Sequence, residues 1–112
     1  MSTQVGGMAE SASAKYLERI GYEIINRNWR TRLCEIDIIA KKPGVIYFVE
    51  VKYRSGNKQG SGIEYITPSK LKQMRFAADC WIADNKYNGD YCLSAIEVSG
   101  DFKVTQFIES IT

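Results

Sequence analysis

Glu35-Ile36-Asp37-Ile38-Ile39-Ala40-Lys41-Lys42-Pro43-Gly44-Val45-Ile46-Tyr47-Phe48-Val49-Glu50-Val51-Lys52-Tyr53-Arg54 is the stretch that decides the fold. It consists of two apolar runs of strand character around a Lys-Pro-Gly turn signal. Within those runs Glu35, Asp37, Glu50 and Lys52 stand where a strand core prefers apolar side chains. Unpaired charge in such a setting costs several kcal/mol. Clustered carboxylates that repel one another are the oxygen donors that Mg2+ or Mn2+ takes, so the pattern points to a divalent cation.

Alternate residues of a strand share a face. Glu35 and Asp37 therefore go together, as do Phe48, Glu50 and Lys52, with Tyr47, Val49 and Val51 opposite. A four-residue loop pairs Ala40 with Val45, and a two-residue loop pairs Lys41 with Gly44. Either choice sets Asp37 opposite Phe48 and Glu35 opposite Glu50, with Asp37 diagonal to Glu50. The charges then converge on one face, whereas an odd-length loop would split them.

Before this hairpin, residues 1–7 are small and polar and are expected to fray. Ala9, Ala12, Tyr16, Leu17 and Ile20 recur at helical spacing, predicting a helix from Met8 to about Ile20 with Glu10 on its flank. Gly21-Tyr22 ends it, and Tyr22 to Asn28 is predicted as a first strand. Arg27, Trp29, Arg30 and Arg32 mix charge with an aromatic ring, for which a Trp packed on Arg stems is the commoner explanation.

After the hairpin, residues 55–62 (Ser-Gly-Asn-Lys-Gln-Gly-Ser-Gly) predict a mobile loop directly behind Glu50-Val51-Lys52, placed to close over a nucleic acid. Thr67-Pro68 is an N-cap with proline at the first helical position. Leu71, Met74, Ala77, Ala78, Trp81 and Ile82 follow at helical spacing, a stripe that belongs to the core. Tyr91–Val98 and Phe102–Ile108 are predicted as two more strands around Ser99-Gly100-Asp101. The expected fold is α/β (α+β) in the order αβββαββ, a mixed sheet flanked by helices in one domain spanning residues 1–112.

Composition narrows the function. With 112 residues, 45% apolar and 25% charged, the chain suits one core. No basic-then-apolar leader and no long apolar run is present, so the expected compartment is the cytoplasm, away from membranes. Cys34, Cys80 and Cys92 are odd in number and far apart, which favours small half-buried side chains over a disulfide framework or structural zinc. The absence of histidine removes Ser-His-Asp and Cys-His hydrolases and His-ligated zinc. No phosphate-cradling glycine motif occurs, so no nucleotide cofactor is expected.

Charge is segregated along the chain. Residues 41–75 hold eight Lys or Arg against Glu50 and Glu64, a balance of +6, whereas residues 76–112 hold two against six, a balance of −4. A polyanion nearing the carboxylates would meet Arg54, Lys58, Lys70, Lys72 and Arg75.

Asp37 followed by Glu50-Val51-Lys52 resembles the catalytic signature of the PD-(D/E)xK nucleases, which share the restriction endonuclease-like fold. With Gly21 to Arg30 and Glu35 to Ala40 as context, the chain resembles the YraN family of predicted endonucleases, from Ala9-Glu10 through Tyr16-Leu17 to at least Lys70. The resemblance implies a metal-dependent deoxyribonuclease, possible substrates including branched or Holliday-junction DNA. It implies Asp37, Glu50 and the Val51 carbonyl as ligands to Mg2+ or Mn2+, and Lys52 as the residue that orients the attacking water. Glu35 or Glu10 would serve a second site, Glu10 standing where the family carries its helix carboxylate, with an acid offsetting the helix dipole as the rival reading. Lys70 stands at a position typical of the family. A DNA-binding module of the same fold without cleavage is the alternative. Two departures are visible: Cys34 replaces the usual Gly before the Glu-Ile-Asp run, and Cys92-Leu93-Ser94 replaces an Arg-Phe-Asp triplet.

Overall fold

A computed structural model describes residues 3–55 and 66–111. The order of elements is α1 (Thr3–Arg19), β1 (Glu23–Arg30), β2 (Glu35–Lys42), β3 (Val45–Arg54), α2 (Pro68–Asp84), β4 (Asp90–Ser99) and β5 (Val104–Ile108). The strands lie side by side in chain order in a single sheet. All neighbours are antiparallel except β3 and β4, which run parallel across the α2 crossover. This is the mixed αβββαββ architecture that the sequence predicts. Among the described residues no helix is long and apolar enough to cross a membrane.

Strand alternation builds two cores from the one sheet. Tyr47, Val49 and Val51 pack with Ile38, Ala40, Ile96 and Val98 against Ala9, Ala14 and Leu17 of α1. On the other face, Ile46, Phe48, Ile39 and Leu93 pack against Met74, Ala77, Ala78 and Trp81 of α2. Phe48 meets Trp81 edge-on, with ring centroids 5.5 Å apart. The helices are thus held to opposite faces by burial of apolar area, at roughly 25 cal/mol per Å². Trp29 belongs to the α2-side core, and the three cysteines are half-buried.

Two boundaries differ from the sequence reading. Helix α1 starts at Thr3, not Met8, and so takes in residues set aside as frayed. Gly6, within that added stretch, is buried. Periodicity missed this first stretch because small residues, not large apolar ones, bring the helix close to the sheet. The second difference is the register of β2 and β3. Lys42 pairs with Val45 and Ala40 with Tyr47, around a two-residue turn at Pro43-Gly44. Proline sets φ at the first turn position and Gly44 supplies φ +82° at the second, the pattern of a type II turn. Compared with the expected pairing, every partner moves by two residues, which preserves the faces and changes who stands opposite whom. The Ser55–Gly62 loop, beyond Ser55 itself, lies outside the described residues, and so does Lys58.

Candidate metal and nucleic-acid site

The β2–β3 ladder stops at Ile38↔Val49. Beyond it, β2 stays paired with β1 as far as Arg30↔Glu35, and β3 stays paired with β4 as far as Arg54↔Ser99. The two central strands therefore part company midway. Extending the register shows why the parting falls here: Val51 would have bonded Ile36, but its N–H donates instead to Asp37 Oδ2 at 2.8 Å. A side-chain carboxylate has taken the place of a ladder carbonyl. In an extended strand a residue's N–H and C=O leave the same edge, so the Val51 carbonyl also faces the gap.

The same extension sets Asp37 directly across from Glu50, correcting the expected Asp37–Phe48 and Glu35–Glu50 pairing. The cause is the turn centred on Pro43-Gly44. Asp37 is half-buried, and burial pushes its pKa up to about 7, with the Glu50 carboxylate as the next contributor. Glu10 and Glu35 push in the same direction, while the Val51 N–H opposes them.

Glu10 reaches this group from α1. It lies in the second turn of a helix beginning at Thr3, beyond the first turn where a dipole effect is felt, so the dipole explanation does not apply. Burial raises its pKa, Arg27 lowers it, Glu35 raises it and Arg30 lowers it. Glu35 is exposed and pairs with Arg30 at 3.5 Å. Glu50 is half-buried and pairs with Lys70 Nζ at 3.1 Å. Lys52 is exposed on β3, in register with Glu97, and joins no ion pair among the described residues. No three His, Cys, Asp or Glu side chains among the described residues close on one point. The donors nevertheless suit a hard divalent cation in kind, being carboxylate oxygens with a backbone carbonyl beside them.

Beside these groups, between the β1–β2 connection and the first turns of α2, lies an open cleft of about 890 Å³ lined by Arg30, Glu35, Glu50, Lys70 and Lys72 among others. Helix α2 is positioned there by its cap: Thr67 Oγ1 accepts from the Lys70 N–H at 3.0 Å. Of the predicted basic contacts, Lys70 and Lys72 line the cleft. Arg54 is half-buried at the end of β3 and Arg75 is exposed on α2, and neither contributes to its wall. Sequence reasoning missed Thr31, Leu33, Cys34, Ser69, Gln73 and Phe76 in that wall. No local pattern joins the β1–β2 connection to α2. Arg30 carried a signal as one of the basic residues around Trp29.

The Cys92-Leu93-Ser94 departure falls on the turn side of Glu50, in register with Tyr47–Val49. Ser94 is fully buried and donates to the Glu109 carbonyl at 2.5 Å, so this segment ties down the C-terminal residues and does not turn toward the carboxylates.

Fold and site together define a small α+β domain with an acidic group at the splayed end of a central hairpin and a lysine-lined cleft beside it. The chain belongs to the uncharacterised protein family UPF0102, whose family model matches residues 9–103. It is 38% identical over 108 residues to the UPF0102 protein HPAG1_0809 of Helicobacter pylori, covering 96% of this chain and 90% of that protein. It is 38% identical over 112 residues to the UPF0102 protein WS0451 of Wolinella succinogenes, covering 100% and 99%. A UPF0102 protein of Sulfurihydrogenibium is 39% identical over 100 residues, covering 88% and 87%.

Proposed function

We propose that this protein is a divalent-metal-dependent nuclease that hydrolyses phosphodiester bonds in DNA. The observation that carries the reading is the splayed hairpin end, where Asp37, its pKa pushed up to about 7 by burial and then by Glu50, Glu10 and Glu35, stands across from Glu50, and Glu50 and Glu35 line a cleft together with Lys70 and Lys72. The resemblance of Asp37 and Glu50-Val51-Lys52 to the PD-(D/E)xK signature supports it. Asp37, Glu50 and the Val51 carbonyl would hold Mg2+ or Mn2+, with Glu35 or Glu10 as further donors. A metal bound there supplies Lewis acidity to the phosphate and a lowered pKa to water.

The chain's own residues do the rest. Lys52, exposed beside Glu50, meets the charge that develops on the scissile phosphate, a contribution of roughly 3 kcal/mol for one well-placed group. Lys70, already drawn to Glu50 at 3.1 Å, and Lys72 hold the flanking phosphates in the cleft. Arg30 would do the same from the opposite wall.

A second reading, a DNA-binding module without cleavage, is favoured by two features: Lys70 pairs with Glu50 at 3.1 Å, and no three His, Cys, Asp or Glu side chains close on one point among the described residues. Labelled linear, nicked, flap and four-way-junction DNAs incubated with Mn2+ or Mg2+ separate the two. Cleavage by wild type that disappears in Asp37→Ala and Lys52→Ala is the expected result. Binding without cleavage on every substrate would establish the module.

A further inference from the structure

The cleft used above lies on the α2 side, and the described residues form a second one. The second, about 980 Å³, lies on the α1 face. Its rim carries four cations: Lys15 and Arg19 of α1, Arg27 of β1 and Lys103 of the β4–β5 connection, all exposed. Asp101 is the opposing anion, 3.8 Å from Lys103. Arg27 is fixed in place, donating to Ser11 Oγ at 2.9 Å. The wall between the cations is apolar and aromatic, with Met8, Tyr16 and Phe102 lining it. Phe102 stacks on Tyr53, centroids 5.5 Å apart, so this wall reaches the end of β3 just past Lys52.

The clefts share no wall residue, but edge strand β1 contributes to both, Arg27 to the α1-side cleft and Arg30 to the other, and Ser11 in the α1-side wall adjoins Glu10. Arg27 from the α1 side and Arg30 from the α2 side both act on Glu10, and Glu10 in turn acts on Asp37. A polyanion lying in one cleft and continuing into the other would pass the acidic group at the turn. We propose that the α1-side cleft binds a single-stranded nucleic-acid segment adjoining the bond held at Asp37 and Glu50. This rests on the nuclease reading and adds a substrate class, a strand with an unpaired arm. A duplex offers a groove like this only its phosphates. An unpaired strand offers phosphates to Lys15, Arg19, Arg27 and Lys103 and base faces to the apolar wall, the combination by which single strands are held.

The test is fluorescence anisotropy without divalent metal, using a labelled duplex, a labelled single strand and a duplex with a single-stranded tail, at two salt concentrations. Wild type is compared with Lys15→Glu/Arg19→Glu, with Lys103→Glu, and with Lys86→Glu as an exposed control elsewhere. Because Arg19 closes α1, thermal unfolding accompanies each variant, and Lys103→Glu, on a separate element, carries the test if the double variant unfolds. The expected result is a loss of about 10-fold for the tail and the single strand in the double variant, with the salt slope falling by about 1 to 1.5 and duplex affinity hardly moved. Equal losses on the duplex would overturn the single-strand assignment. Unchanged binding in both cleft variants would overturn the cleft itself while leaving the nuclease reading in place. Failure of wild type to bind any of the three would overturn both.

Discussion

One hairpin has two ends built on opposite rules. At its closed end Pro43-Gly44 turns the chain, Lys42 Nζ sits 4.3 Å above the Tyr22 ring, and the Tyr22 hydroxyl donates to Glu109. Tyr22 also packs edge-on against Tyr47, and Lys42 lies 4.0 Å from Glu109. Charge there is matched and rings fill the space. At its open end the ladder breaks, a carboxylate replaces a backbone acceptor, and the pKa of Asp37 is raised first by burial and then by Glu50, Glu10 and Glu35. The closed end contributes stability. At the open end Lys70 and Arg30 answer Glu50 and Glu35, while buried Asp37 has no cation paired with it among the described residues, and that contrast is why the proposed site is placed there.

The comparison can be broken most sharply at Asp37. Asp37→Ala is expected to reduce DNA cleavage by about 10⁴-fold, since it removes both a ligand and the group across from Glu50, while thermal unfolding at pH 8 shows no loss of stability. The closed end should behave the other way. Tyr22→Ala removes a side chain only 5% exposed along with its ring contacts and its bond to Glu109, and should cost about 3 to 5 kcal/mol in denaturant unfolding while leaving cleavage per folded molecule intact.

The pH dependence sharpens the contrast. Asp37 has a folded pKa near 7 against an ordinary value of 3.8, so the folded state binds the proton more tightly. Its contribution favours folding at low pH and is lost as pH rises from about 4 through about 7, by an amount on the order of 2 to 4 kcal/mol. Metal-free Asp37→Asn should therefore be more stable than wild type at pH 8 and lose that advantage near pH 4. Parallel unfolding curves across the whole range would show that Asp37 is not held in the state described. The smallest effect belongs to the closed side of the sheet: Ser94→Ala, which loses the bond to the Glu109 carbonyl, should cost about 1 kcal/mol in unfolding and nothing in cleavage.

Much of this was legible in the chain, for a physical reason. Strand alternation is a strict period of two, so any even loop at Pro43-Gly44 puts Asp37 and Glu50 on one face, and the error of register left that conclusion standing. Which residue faces which depends on where the turn centres, and that is set by the positive φ of Gly44, a local detail that periodicity does not carry. The start of α1 was hidden because its first residues, Gly6 among them, are small or polar and carry no apolar stripe. Its displacement changed the meaning of Glu10 from a residue at the helix end to a partner of Asp37. The Glu50–Lys70 pair and the cleft wall at Ser69, Gln73 and Phe76 join segments far apart in sequence, and nothing in a local pattern encodes their meeting.

The most direct measurement is calorimetric titration of Mn2+ into the protein at pH 7, in two buffers of different ionisation enthalpy, for wild type and Asp37→Asn. Asp37 with a pKa of about 7 must give up its remaining proton to bind a cation, so wild type should take up Mn2+ with release of about half a proton per ion, and Asp37→Asn should bind weakly and release none from this group. Mn2+ uptake unchanged by the substitution, or no uptake at all, would contradict the assignment of the open end as the metal site.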